Sequence, residues 1–165
     1  MPEKYQKHFL KEKEAKNLLS EASEKLTVDL NKIFRGKVNV EASQTEFVTI
    51  FWVNAKPILA KTEHDFFPTL LFEEFFAVAP KIVVDMGAVP FICKGANVMA
   101  PGVRGYRGEF RKGDYVFVVD EKHGKALAVA EAMLNSGEAA KAKQGVVARN
   151  VHFVSDRIWD LLKSL

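Results

Sequence analysis

The chain is 165 residues long, 48% hydrophobic and 27% charged, which excludes a disordered or fibrous protein and leaves room for one ordinary domain or two small ones. No apolar run approaches the roughly 18 residues that a spanning helix needs, and the charged start of the chain carries no apolar signal segment, so a cytoplasmic protein is expected. The formal net charge of +3 is unevenly placed: residues 81–165 hold 13 basic against 9 acidic side chains, residues 1–80 hold 11 against 12.

In chain order, residues 7–10 read as either a short strand or the lead-in to a helix. Residues 12–26 then place Ala15, Leu18, Leu19, Ala22 and Leu26 at three- and four-residue intervals between charged side chains, the pattern of an amphipathic helix. A helical turn over 29–34 stops at Gly36. From there the period changes to two: Val38 and Val40 alternate with polar neighbours, 47–53 is a β-branched and aromatic run, and 57–61 follows a turn at 54–56. These segments predict a three-stranded meander packed on the helix. The cluster Phe66, Phe67, Leu70, Leu71, Phe72, Phe75 and Phe76 reads as hydrophobic core and inter-domain packing in preference to a ligand-stacking surface.

After residue 80 the texture changes. Short β-rich runs at 82–84, 97–100, 115–119, 125–132 and 146–152 are punctuated by glycine, which permits the bends that closing a small barrel requires. Residues 120–124 read as a hairpin connection. Three helical segments lie among the strands: 88–94 with Gly95 as its stop, 136–143 with Glu138 early and Lys141 and Lys143 late, and 156–163 at the end. The fold class expected is α+β: a small N-terminal α+β domain over 1–78, then a C-terminal β-barrel domain over 79–165.

The most informative stretch is VDMGAVPFICKGANVMAPGV, residues 84–103. Gly87 and Gly95 bracket a short helix, and Pro101-Gly102 forces a turn directly after the strand with Asn97 and Met99. Main-chain amides beside glycine are uncovered, so such a loop can approach a phosphate closely, and Lys94, Arg104 and Arg107 would supply the charge. The same glycines also suit an ordinary barrel corner.

This stretch, together with residues 110–119, 125–134 and 143–159, resembles the PUA domain, a small pseudo-barrel that binds RNA; the four motifs occur in that order across nearly the whole second half. HDFFPTLLFEEFFAVAPKIVVDMGA and the late NVHFVSDRIW are most similar to the malignant T-cell amplified sequence family of translation factors, in an archaeal-type form, where a pre-PUA domain precedes the PUA pseudo-barrel. The resemblance implies a non-enzymatic RNA-binding protein acting in translation on ribosomal RNA or tRNA. Its partners would be structured RNA rather than DNA or a membrane, the small ribosomal subunit, and a protein with an initiation-factor-like domain. An adaptor that delivers an RNA-modification enzyme is the alternative. On the motif, the RNA-contacting residues are Gly87, Ala88, Lys94, Gly95, Ala96, Asn97, Val98, Met99, Pro101, Gly102 and Val103; charge and position add Arg104, Arg107 and Arg149. Ala130 departs from the glycine that many PUA domains carry in that strand, and the RGYRG segment at 104–108 is unusually basic.

No cofactor or metal is expected, because the one cysteine, Cys93, and the four dispersed histidines have no ligand spacing, and nucleotide or nucleophile motifs are missing. Cys93 reads as a buried structural thiol, Asp85 as a cap or turn residue, and His152 with Asp156 as closure of the barrel against the last helix. Met86 and Met99 read as packing residues. Tyr106 is either a base-stacking residue or an unspecific loop tyrosine.

Overall fold

The computed structural model describes residues 6–164; part of the charged start lies outside the described residues. Segment 7–10 is a strand, β1 (Lys7–Phe9), and it leads into helix α1 (Glu12–Leu26). The five residues of the apolar stripe are buried, Glu12 and Glu14 stand in the first turn and Lys25 in the last, as the helix dipole favours. Thr27, at φ +56°, ends the helix: its amide donates to the Glu24 carbonyl, and the Val28 amide donates to Ser23. A four-residue helix, α2 (Leu30–Ile33), is capped by the Asp29 carboxylate, which accepts the Asn31 N–H at 3.0 Å.

The meander is larger than its sequence pattern predicts. Strands β2 (Val40–Gln44), β3 (Thr49–Val53) and β4 (Lys56–Lys61) are extended on one side by β1 and on the other by β5 (Phe66–Pro68), giving a five-stranded antiparallel sheet in sequence order. Three-residue outer strands are too short to show a period. Helix α3 (Glu73–Val78) follows.

The second sheet is six-stranded. Its strands are β6 (Lys81–Val84), β7 (Val98–Met99), β8 (Val103–Arg107), β9 (Tyr115–Asp120), β10 (Ala126–Ala132) and β11 (Val146–Phe153), in the order β7-β11-β10-β9-β6-β8. The pair β6 and β9 runs parallel, and the other pairs run antiparallel. Strands β7 and β8 lie at opposite edges yet are joined by one 3₁₀ turn, Ala100–Gly102, so the sheet must curl. Strand β8 corrects the reading of 104–108 as a loop: Lys81 to Val83 pair with Arg107 to Gly105, and this non-local ladder overrides the weak strand propensity of VRGYR. Helices α4 (Val89–Ile92), α5 (Ser136–Lys141) and α6 (Arg157–Lys163) lie between or after the strands. An Asn135–Glu138 capping box starts α5, and Asp156 caps α6.

Strand β9 is buried on both faces, and its alternation serves two cores. Val116 and Val118 join Ile82, Val84, Ala128 and Val147 inside the curled sheet, whereas Tyr115 and Phe117 pack with the N-terminal residues. The aromatic cluster does hold the two halves together. Phe75 and Phe76 approach Phe117 at 5.7 and 5.0 Å between ring centroids, whereas Phe72 stacks on Phe34 at 5.9 Å within the N-terminal half.

Candidate nucleic-acid interface

Where β6 ends, the Asp85 amide donates to the Gly102 carbonyl at 2.9 Å, and the Asp85 carboxylate accepts the Ala88 amide at 2.8 Å. The first bond ties the start of α4 to the 3₁₀ turn; the second closes the turn that feeds α4. Gly95, at φ +98°, ends the helical segment, and a side chain there would also meet the Phe153 ring at 3.1 Å. The strand β7 then returns along β11, pairing Met99 with Val146 and Val98 with Ala148.

These elements enclose an open groove of about 440 Å³. It is lined by Gly87, Ala88, Ala96 and Asn97 from the α4 loops and by Val98, Met99, Pro101 and Gly102 from the returning strand and turn. All of them are among the residues expected to contact RNA. Val84, Asp85, Phe91 and Ile92 complete the lining. Phe91 is 65% exposed and Met99 46%, so the groove carries an apolar lip, and Met86, outside the lining, is 42% exposed. This corrects the reading of both methionines as packing residues. Phe91 is the functional candidate that the sequence pattern missed, because between Pro90 and Ile92 it resembles core; its signal was an aromatic side chain inside a glycine-bracketed helix of one turn.

The remaining expected residues stand apart from the groove lining. Gly95 lies behind it against Phe153, and Val103 opens β8. Lys94 and Arg107 are exposed, and Arg104 is exposed but 3.3 Å from Glu121. Arg149 is taken up by carboxylates: it donates to Asp65 at 2.7 Å and approaches Glu131 at 3.7 Å, which ties β11 to the loop before β5. Ala130 is fully buried in the centre of the sheet, so nothing approaches it from solvent. Tyr106 is no base-stacking platform, since it packs on Phe110 at 5.9 Å and donates to the Ala139 carbonyl at 3.3 Å.

Other titratable groups have structural surroundings. Cys93 is half-buried rather than fully buried, and that burial pushes its thiol up, away from nucleophilic character. His152 is completely buried beside Phe67 and shares a 2.8 Å hydrogen bond with Asp156, joining β11 to α6 as expected. No cluster of metal-ligating side chains occurs among the described residues, and no helix is long and apolar enough to cross a membrane.

Comparison with known proteins gives a match to the PUA domain over residues 80–154 and to a domain of unknown function (DUF1947) over residues 6–72. The chain is 36% identical over 155 residues to an uncharacterized protein of Methanocaldococcus jannaschii, covering 93% of this chain and 95% of that one. It is 28% identical to malignant T-cell-amplified sequence 1 of Rattus norvegicus, covering 88% and 84%, and 26% identical to translation machinery-associated protein 20 of Saccharomyces cerevisiae, covering 68% and 66%. The crystal structure of a PUA domain from Aeropyrum pernix superposes with a TM-score of 0.85 at 27% identity, covering 97% of this chain and 92% of that one.

Proposed function

This chain belongs to the family in which a DUF1947 domain precedes a PUA domain, and from that premise we propose that it binds structured RNA and acts in translation without catalysing a reaction. The observation that carries the reading is the groove between α4 and the β7–β8 turn. Its lining includes Gly87, Ala88, Ala96 and Gly102, which leave main-chain groups open to close approach, and the exposed Phe91 offers a face on which an unpaired base can stack. Lys94, Arg104 and Arg107 give the charge that draws in phosphates. An apolar groove suits an unpaired end or loop better than a duplex, whose bases are already stacked, and among the described residues no helix presents a basic face to a major groove.

Ribosomal RNA and tRNA are the RNA classes proposed. The translation setting is supported by the yeast relative's name, translation machinery-associated protein 20; a partner with an initiation-factor-like domain on the small ribosomal subunit is proposed from the sequence resemblance alone. The test is binding of labelled tRNA and of small-subunit RNA fragments by anisotropy at several salt concentrations. Replacing Lys94, Arg104 and Arg107 together by alanine lowers the slope of log affinity against log salt by about 2, since each lost phosphate contact on a single strand removes about 0.7. An unchanged slope in the folded triple variant rejects the surface.

A further inference from the structure

We infer that Asn150 is the positioning residue of this groove: from a β-bulge in β11, its side-chain amide holds the wall formed by residues 92–97. The inference rests on the reading of the groove as an RNA site.

The ladder between β10 and β11 passes from Val129 opposite His152 to Ala130 opposite Asn150, which leaves Val151 as an extra residue. A bulge of this kind turns the strand and re-aims its neighbouring side chains. Here the side-chain nitrogen of Asn150 donates to the carbonyls of Ile92 and Ala96, each at 3.0 Å. In return the main-chain N–H of Asn150 donates to Oδ1 of Asn97, also at 3.0 Å. Ile92, Ala96 and Asn97 all line the groove, whereas Asn150 does not. It therefore acts on whatever binds there through the wall.

The wall needs an outside hold. Helix α4 is only four residues long, too short to be stable by itself, and segment 93–97 belongs to no strand. The two carbonyls also dictate which way the Asn150 amide is turned, because the opposite orientation would set oxygen against two acceptors. Both of its N–H groups are then used, and its Oδ1 is buried with no partner among the described residues. Leaving a buried acceptor unmatched is unfavourable. The pair of bonds to the wall is thus kept against a local cost, as expected where groove shape matters.

The test uses the full chain and a fluorescent RNA hairpin with a single-stranded 3′ tail, titrated at several salt concentrations. Asn150→Ala removes both bonds and is expected to weaken binding about tenfold while leaving the salt slope unchanged; Asn150→Asp, which also sets a carboxylate against the Ile92 and Ala96 carbonyls, is expected to weaken it at least as much. A general loss of structure would show in the melting temperature and circular dichroism of the variant and would not couple to one side chain. The losses from Asn150→Ala and Phe91→Ala overlap in the double variant, because both work through the groove, whereas those from Asn150→Ala and Arg107→Ala, at the far end of β8, add. Should the Asn150 variants fail to fold, Asn97→Ala leaves Asn150 in place and is expected to weaken binding in the same way.

Folded variants that bind like the unaltered protein overturn the positioning role. If Phe91→Ala weakens binding and the Asn150 and Asn97 variants do not, only this inference fails. If Phe91→Ala binds as tightly as the unaltered chain, the RNA reading of the groove fails with it.

Discussion

A Cβ built on Gly102 would lie 3.3 Å from the Cβ of Ala88. Both residues line the groove, and a side chain at Gly102 would press on Ala88 more tightly than ordinary packing allows. Gly102 is absent from the positive-φ residues, so what it supplies is space rather than an unusual backbone. Gly102→Val is therefore expected to keep the fold, with an overpacking cost of about 1–3 kcal/mol seen in thermal unfolding. In the same variant RNA affinity drops about tenfold or more as the groove fills. Undiminished affinity with the groove filled would mean that RNA binds elsewhere.

The Arg149–Asp65 pair calls for a different outcome. Its side chains are 38% and 22% exposed, so solvent screening limits its worth to about 1 kcal/mol or less. Arg149→Ala is expected to lower the melting temperature by about 2–4 °C and to leave RNA affinity and its salt slope unchanged. A reduced slope would return Arg149 to the RNA surface, where charge and position in the sequence first placed it.

How legible each feature was follows from how local its cause is. Helix α1 and strands β9 and β10 announce themselves because their burial repeats within a few residues. Strand β8 does not, since two glycine- and arginine-rich turns of phrase in VRGYRG describe a loop until Lys81 and Ile82 pair with Arg107 and Tyr106. At the site, glycine spacing located the groove. It left the exposure of Phe91 and the capture of Arg149 by a carboxylate 84 residues away unreadable, because both are set by tertiary contacts.

The β3–β4 hairpin carries a strain that can be relieved. Its two turn residues, Asn54 and Ala55, have φ of +49° and +69°, the left-handed pair of a type I′ turn. Asparagine tolerates this conformation, and its Oδ1 accepts the Asn39 amide at 3.1 Å. Alanine does not, at a cost of roughly 1–2 kcal/mol in that region. Part of the gain from glycine is lost to its larger unfolded-state entropy. Ala55→Gly is thus expected to stabilise the protein by about 0.5–1 kcal/mol in denaturant titrations. A destabilised variant would rule out the I′ geometry.

Asp156 joins three groups at the end of β11. One carboxylate oxygen accepts the Trp159 amide at 2.6 Å; the other accepts the Phe153 amide at 2.9 Å and the Nδ1–H of His152 at 2.8 Å. Burial alone would raise this carboxyl, but the His152 hydrogen bond and charge, with the two amides, bring it below its ordinary value. The folded protein therefore binds this proton less readily than the unfolded chain does. Its contribution is complete above the unfolded carboxyl range near pH 4 and is lost as pH falls through the lower, folded value. Asp156→Asn keeps a helix cap but loses the charge, and is expected to cost about 1–3 kcal/mol at neutral pH. Urea unfolding across the acid range gives the decisive comparison: the gap between the two proteins should close as pH drops below about 4, and a gap that persists undiminished there would show that packing, not ionisation, makes the difference.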